Sequence, residues 1–161
     1  MEVASYICDG IVYTVKLIGD EGQVPKDIEK VLHLIDDTDP LVYANNMIES
    51  VHQGLAYELY KENDRMGFVY NRIEDGNYYG ASICIDDTIC MLIALKTMFE
   101  LYETHKISFM PHTTNLQCFK AMAYGPDIRM HYSAGNPLII RRDELEQKGL
   151  KLFRYFGIEA L

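Results

Sequence analysis

No apolar run in this sequence reaches the length that a membrane span needs. The most apolar stretch is Thr88–Leu95, TICMLIAL, and the charges of Asp87 and Lys96 close it on either side. Met1–Gly10 lacks the basic start and apolar centre of a secretory signal. The expected location is therefore inside a cell, cytoplasmic or packaged from there in a virion, and not secreted. Basic charge is also scarce: 15 Lys and Arg stand against 24 Asp and Glu, for a formal net charge of −9. A nucleic-acid partner held through its phosphates needs clustered cations, and Arg141 and Arg142 make only a small local pair. An acidic surface chiefly serves solubility, and it also suits a basic substrate or partner.

Metal and redox signals are missing too. The four cysteines, Cys8, Cys84, Cys90 and Cys118, contain no CxxC spacing. His33, His52, His105 and His131 lack ligand spacing, and no HExxH occurs. We expect no metal and four reduced thiols, three of them in apolar surroundings where a free Cys behaves as a small hydrophobe. Tryptophan is absent while tyrosine is abundant at 12 residues. Tyr57, Tyr60, Tyr70, Tyr78 and Tyr79 concentrate in one stretch, as strand propensity favours and as a binding surface would use.

What is present reads as one domain over residues 1–161, with 48% apolar residues and ordinary charge. Ile11–Ile18 reads as a first strand. Pro25 and Lys26–Ile35 read as a helix, with Ile28, Val31, Leu32 and Ile35 on one face. Leu41–Val51 is a second helix. Leu55–Lys61, Met66–Ile73 and Tyr78–Ile85 are three strands, joined by turns at Glu62–Arg65 and at Glu74–Asn77 with its Asp-Gly. Short turns make them antiparallel neighbours. Asp87 or Thr88 caps a buried helix over Ile89–His105. Lys106–Met110 is a strand, and a helix starting at Thr113 or Thr114 runs to Tyr124. Arg129–Tyr132 and Leu138–Arg141 form a closing hairpin, and Asp143 caps a last helix, Glu144–Phe156, which Gly149 weakens. The sum is an α/β fold with helices on both faces of a mixed, twisted sheet of about six or seven strands.

The element order, together with Lys106–Tyr124, KISFMPHTTNLQCFKAMAY, resembles the Gcn5-related N-acetyltransferase (GNAT) family over most of the chain. Its helix pattern N-x-x-A-x-x-x-Y-x-x-x-G-F falls without gaps on His112, Asn115, Phe119, Ala123 and Tyr124. Hydrophobic type is kept, but each polar or special residue has changed. The resemblance implies a single GNAT-like domain and, in a working enzyme, acetyl-CoA as acyl donor to an amine. The backbone of Ile83, Cys84 and Ile85 would then line the acyl-pantetheine groove. The family's Q/R-x-x-G-x-G/A pyrophosphate loop is missing here. Its place holds Ile85-Asp86-Asp87-Thr88-Ile89-Cys90, about five residues shorter and without Gly. Carboxylates stabilise a helix N-terminus but repel a second anion. The family's proton-donating Tyr is Phe119, which has no proton to give. Degenerate members of this kind are similar to those carried by viruses and phages, where the fold serves in particles or against host factors. The resemblance thus implies a binding or assembly module with a protein partner or a second copy, with no cofactor needed. The alternative is an active N-acyltransferase.

Candidate chemistry is thin. His112 follows Pro111 at a strand end and is the one candidate base, though a lone His is ordinarily structural. Asp86 and Asp87 would orient a basic substrate amine, yet acids at a helix start are usually caps. Cys84 would be a nucleophile only beside a His. LKLFRYF, Leu150–Phe156, holds too many large apolar side chains for a free helix and must pack on the sheet or on a neighbour.

Overall fold

In the computed structural model, residues 1–31, 39–74, 77–85, 87–101, 106–111 and 138–161 are described. The chain begins with a strand that the sequence reading missed. β1 (Glu2–Cys8) pairs antiparallel with β2 (Ile11–Leu17), placing Cys8 opposite Ile11. Asp9 and Gly10 make the two-residue turn with φ of 52° and 75°, the left-handed pair that matches strand twist. β2 is thus the strand expected as the first one.

A 3-10 turn at Glu21–Gln23 leads into α1 (Val24–Val31), which starts two residues before the expected Lys26. α2 (Pro40–His52) is capped by Asp39, whose carboxylate accepts from the Leu41 N–H at 2.9 Å. Pro40 sits where a missing N–H costs nothing.

The meander forms as read. β3 (Ala56–Lys61), β4 (Asp64–Glu74) and β5 (Asn77–Ile85) are antiparallel neighbours. α3 (Thr88–Leu101) follows, then β6 (Lys106–Pro111), which pairs parallel with β5. β7 (Leu138–Arg141) pairs antiparallel with β6. The expected helix from Thr113 or Thr114 to Tyr124 and the strand Arg129–Tyr132 lie outside the described residues.

The last helix forms, but its winding changes along its length. Arg142–Glu144 is one α-turn and Leu145–Gly149 is π-helical, before α4 (Leu150–Phe156). Asp143 therefore lies inside the first turn and is not its cap. Gly157, at φ 72°, closes α4, and the Ile158 N–H donates to the Phe153 carbonyl at 2.9 Å. A short β8 (Glu159–Ala160) then pairs with Tyr6 and Ile7 of β1.

The expected count of six or seven strands needs correction. Five successive strands, β1 to β5, form an antiparallel run, and the whole ladder reads β7-β6-β5-β4-β3-β2-β1-β8. Helices pack on both faces. α3 and α4 cover one side, with Tyr13, Val15, Tyr57, Leu59, Val69, Met91, Leu95 and Phe153 in its core. α1 and α2 cover the other, around Val24, Met47, Ala56, Phe68 and Tyr70. Leu92, Ile93, Ala94, Leu95 and Met98 of α3 are all fully buried, as a helix apolar nearly all round must be.

Candidate functional site

The region that the sequence reading singled out is the end of β5 and the start of α3. Ile83 spans two neighbours, opposite Val69 of β4 and Pro111 of β6. Cys84 lies opposite Phe68, and Ile85 opposite Gly67. Both ladders of β5 break in one place. The β4 register steps over Ala81, between Tyr70↔Ser82 and Asn71↔Gly80, and the β6 register shifts between Gly80 and Ile83. An extra residue there bends the strand. The fold thus brings Ile83 onto the parallel joint between β5 and β6, while Cys84 and Ile85 pair with β4 and carry the strand on to the start of α3. His112 and Asp86 lie outside the described residues.

Asp87 belongs to the helix start. Its Oδ1 accepts from the Cys90 N–H at 2.9 Å, and its carbonyl accepts from the Met91 N–H at 2.9 Å. Its side chain is therefore a capping group, the ordinary use of an acid at this position. Its charge has neighbours. Burial pushes the Tyr13 hydroxyl up to about 12, and Asp87 adds to the rise. The Cys8 thiol is also raised, by burial first and then by Asp9 and Asp87. Cys8 Sγ donates to the Phe156 carbonyl at 3.0 Å. A buried thiol with a raised pKa is a poor nucleophile. Among the described residues, Asp9, Asp87, Cys8 and Tyr13 thus set negative and neutral groups about the start of α3, an unfavourable surrounding for a phosphate.

A second constellation lies on the opposite face. Asp27 of α1 is fully buried and accepts two hydrogen bonds from Arg65, at 2.6 and 2.8 Å, one on each oxygen. The Tyr70 hydroxyl donates to Oδ2 at 2.6 Å, and the Gln23 amide donates to Oδ1 at 3.1 Å. Arg65 Nε reaches Glu58 at 2.7 Å, and the Tyr60 hydroxyl donates to the same carboxylate at 3.1 Å. The Tyr70 hydroxyl is raised by burial, then by its bond to Asp27. The Tyr60 hydroxyl is raised by burial, then by Glu58. The two acids hold the Arg65 guanidinium firmly protonated against the cost of its burial. A bidentate, saturated ion pair of this kind joins α1 to the sheet and leaves no open position for chemistry. The sequence carried one signal for it: Asp27 falls among Val24, Ile28 and Val31, on the apolar stripe of α1.

No group of His, Cys, Asp and Glu able to hold a metal occurs among the described residues. No helix among them is long and apolar enough to cross a membrane. Comparison of the chain with protein-family models, with curated proteins and with solved structures finds no match.

Proposed function

We propose that the chain is a divergent GNAT-like domain whose acetyl-CoA site is degenerate, and that it acts as a binding or assembly module for a protein partner or a second copy. The observation that carries this reading is the Asp87 cap. In the family whose element order this chain resembles, a glycine-rich loop and the free N–H groups of the main helix take the pyrophosphate. Here an Asp87 carboxylate oxygen takes the Cys90 N–H, and a fixed negative charge stands where an anion would approach. The acidic total of −9 adds to the mismatch with a coenzyme rich in phosphate.

Calorimetry of the full chain with acetyl-CoA and with CoA tests the reading. We expect no heat at micromolar ligand. A dissociation constant in the micromolar range would overturn it.

One observation favours the alternative, an N-acyltransferase acting on an amine of a basic substrate: the parallel joint between β5 and β6 with its register break at Gly80–Ile83. In that reading the backbone of Ile83, Cys84 and Ile85 lines the acyl groove. Asp86 and Asp87 attract the amine, and His112 takes the proton. His112→Ala would then lower the rate by about 10²-fold or more. Unchanged turnover would remove His112 from the mechanism. Viral or phage origin is part of the proposal and rests on the resemblance alone.

A further inference from the structure

A pocket of about 150 Å³ opens between the second half of α2 and the end of β4. Its helical wall is Asn46, Glu49, Ser50 and Gln53, which follow each other at i, i+3, i+4 and i+7 and so form one stripe. Arg72 and Ile73 form the strand wall. The volume is below the ~300 Å³ at which pockets for drug-sized ligands begin, so an occupant has only a few non-hydrogen atoms.

Three features make this more than a surface crease. First, Ser50 is only 1% exposed, and its hydroxyl has no hydrogen-bond partner. A buried hydroxyl left unpaired costs roughly 1–3 kcal/mol, which an occupant that reaches it relieves. Second, the Gln53 amide donates to Glu49 Oε1 at 3.1 Å, which orients the Glu49 carboxylate while Oε2 can still accept. Third, the pocket holds charges of both signs, Glu49 on the helix and Arg72 on the strand. A guanidinium offers five donors, so one contact does not exhaust it. A lone anion would meet Glu49 and a lone amine would meet Arg72, whereas a molecule bearing both charges suits both walls.

We infer that this pocket binds a small zwitterion of free amino-acid size. Its carboxylate pairs with Arg72 and its ammonium with Glu49. The Ser50 hydroxyl and the Asn46 amide complete the polar contacts, and half-exposed Ile73 forms an apolar lip for a side chain. The pocket is independent of the acyl-CoA question. Arg72 lies opposite Tyr79, near the Glu74–Asn77 end of the β4–β5 ladder, while Gly67 toward the other end of β4 lies opposite Ile85, beside the start of α3.

The test is calorimetry of the full chain with each of the free L-amino acids at about 10 mM, and with acetate and ethylamine as half-ligands. We expect at least one amino acid to bind with a dissociation constant of roughly 1 mM or tighter, and each half-ligand at least tenfold more weakly. Arg72→Gln and Glu49→Gln change exposed residues, so the chain keeps its circular dichroism spectrum; each should weaken binding at least tenfold. Ser50→Ala should weaken it several-fold. The proposal fails if no amino acid binds, if acetate binds as well as the zwitterions, or if Arg72→Gln leaves affinity unchanged.

Discussion

Asp27 keeps a charge with no exposed surface because four donor groups reach its two oxygens. Removing one partner of such a pair leaves the other charge buried and unpaired, which costs roughly 3–5 kcal/mol. Asp27→Ala should therefore lower the urea unfolding free energy by about that amount. The double variant Asp27→Leu with Arg65→Met should lose much less than the sum of the single changes, since neither charge remains. Two further residues make stability depend on alkaline pH. Tyr6 and Tyr13 are each raised from 10.0 to about 12, chiefly by burial, with Glu100 and Asp87 as the respective second causes. A folded pKa above the unfolded one means the folded chain holds its proton longer. The contribution is complete below pH 10 and is lost as pH climbs from 10 through 12. The urea unfolding free energy should hold steady between pH 7 and 9 and fall by pH 11, by roughly 1 kcal/mol per tyrosine. Tyr13→Phe should remove part of that fall.

At the level of elements, helix ends explain more than helix interiors. α3 is apolar nearly all round, and Asp87 supplies the cap at its start. Asp87→Ala should cost about 1 kcal/mol in thermal unfolding, and Asp87→Asn, which still caps, only a fraction of that. Asp87→Asn should also lower the Tyr13 pKa in a spectroscopic titration, because the nearby charge is gone. Should CoA begin to bind Asp87→Asn while the natural chain ignores it, the carboxylate would be identified as the barrier. α4 ends on the left-handed Gly157, where a side chain is strained, and Gly157→Ala should cost about 1 kcal/mol. The π-helical turn at Leu145–Gly149 lies just ahead of α4 and ends at Gly149, the residue that weakens a regular helix there.

Across the whole molecule, the C-terminal segment divides its apolar residues between two surfaces. Phe153 is buried, and Leu152 and Phe156 pack against the same core. Lys96 lies over the rings of Tyr6 and Phe153. Arg142 donates to the Phe99 carbonyl at 2.6 Å, which fastens the segment to the end of α3. The inward face of LKLFRYF therefore packs on its own domain. Removing everything after Arg142 should abolish cooperative unfolding rather than release an intact monomer, as a thermal scan would reveal. Tyr155, at 81% exposure, stays outside with Leu150 and Leu161. If the domain assembles through this outer face, light scattering should give a mass above 18.5 kDa for the full chain. Tyr155→Ser should then shift it toward the monomer. A monomer in both cases would count against assembly through α4.

By itself the sequence determined the meander β3–β4–β5, the span of α2 and the burial of α3. Each is a local matter: alternation over six or more residues, short polar turns, apolar spacing over Leu41–Val51, and a helix that is apolar nearly all round. Asp87 was legible as one of two cap candidates, with Thr88, for the same reason, and it is the one that accepts from a backbone N–H three residues away. β1 and β8 were not legible. EVASYIC mixes polar and apolar positions, and a two-residue strand such as Glu159–Ala160 has no pattern at all; only pairing along β1 makes either an edge of the sheet. The site partners were hidden in the same way. Asp27 and Arg65 are 38 positions apart, and Ser50 and Arg72 are 22 positions apart in the chain. What joins them is the packing of α1 and α2 on one face of the sheet. Charges and hydroxyls carry no periodicity from which such a meeting could be read, so tertiary structure alone decided which of them are buried, paired or left facing a pocket.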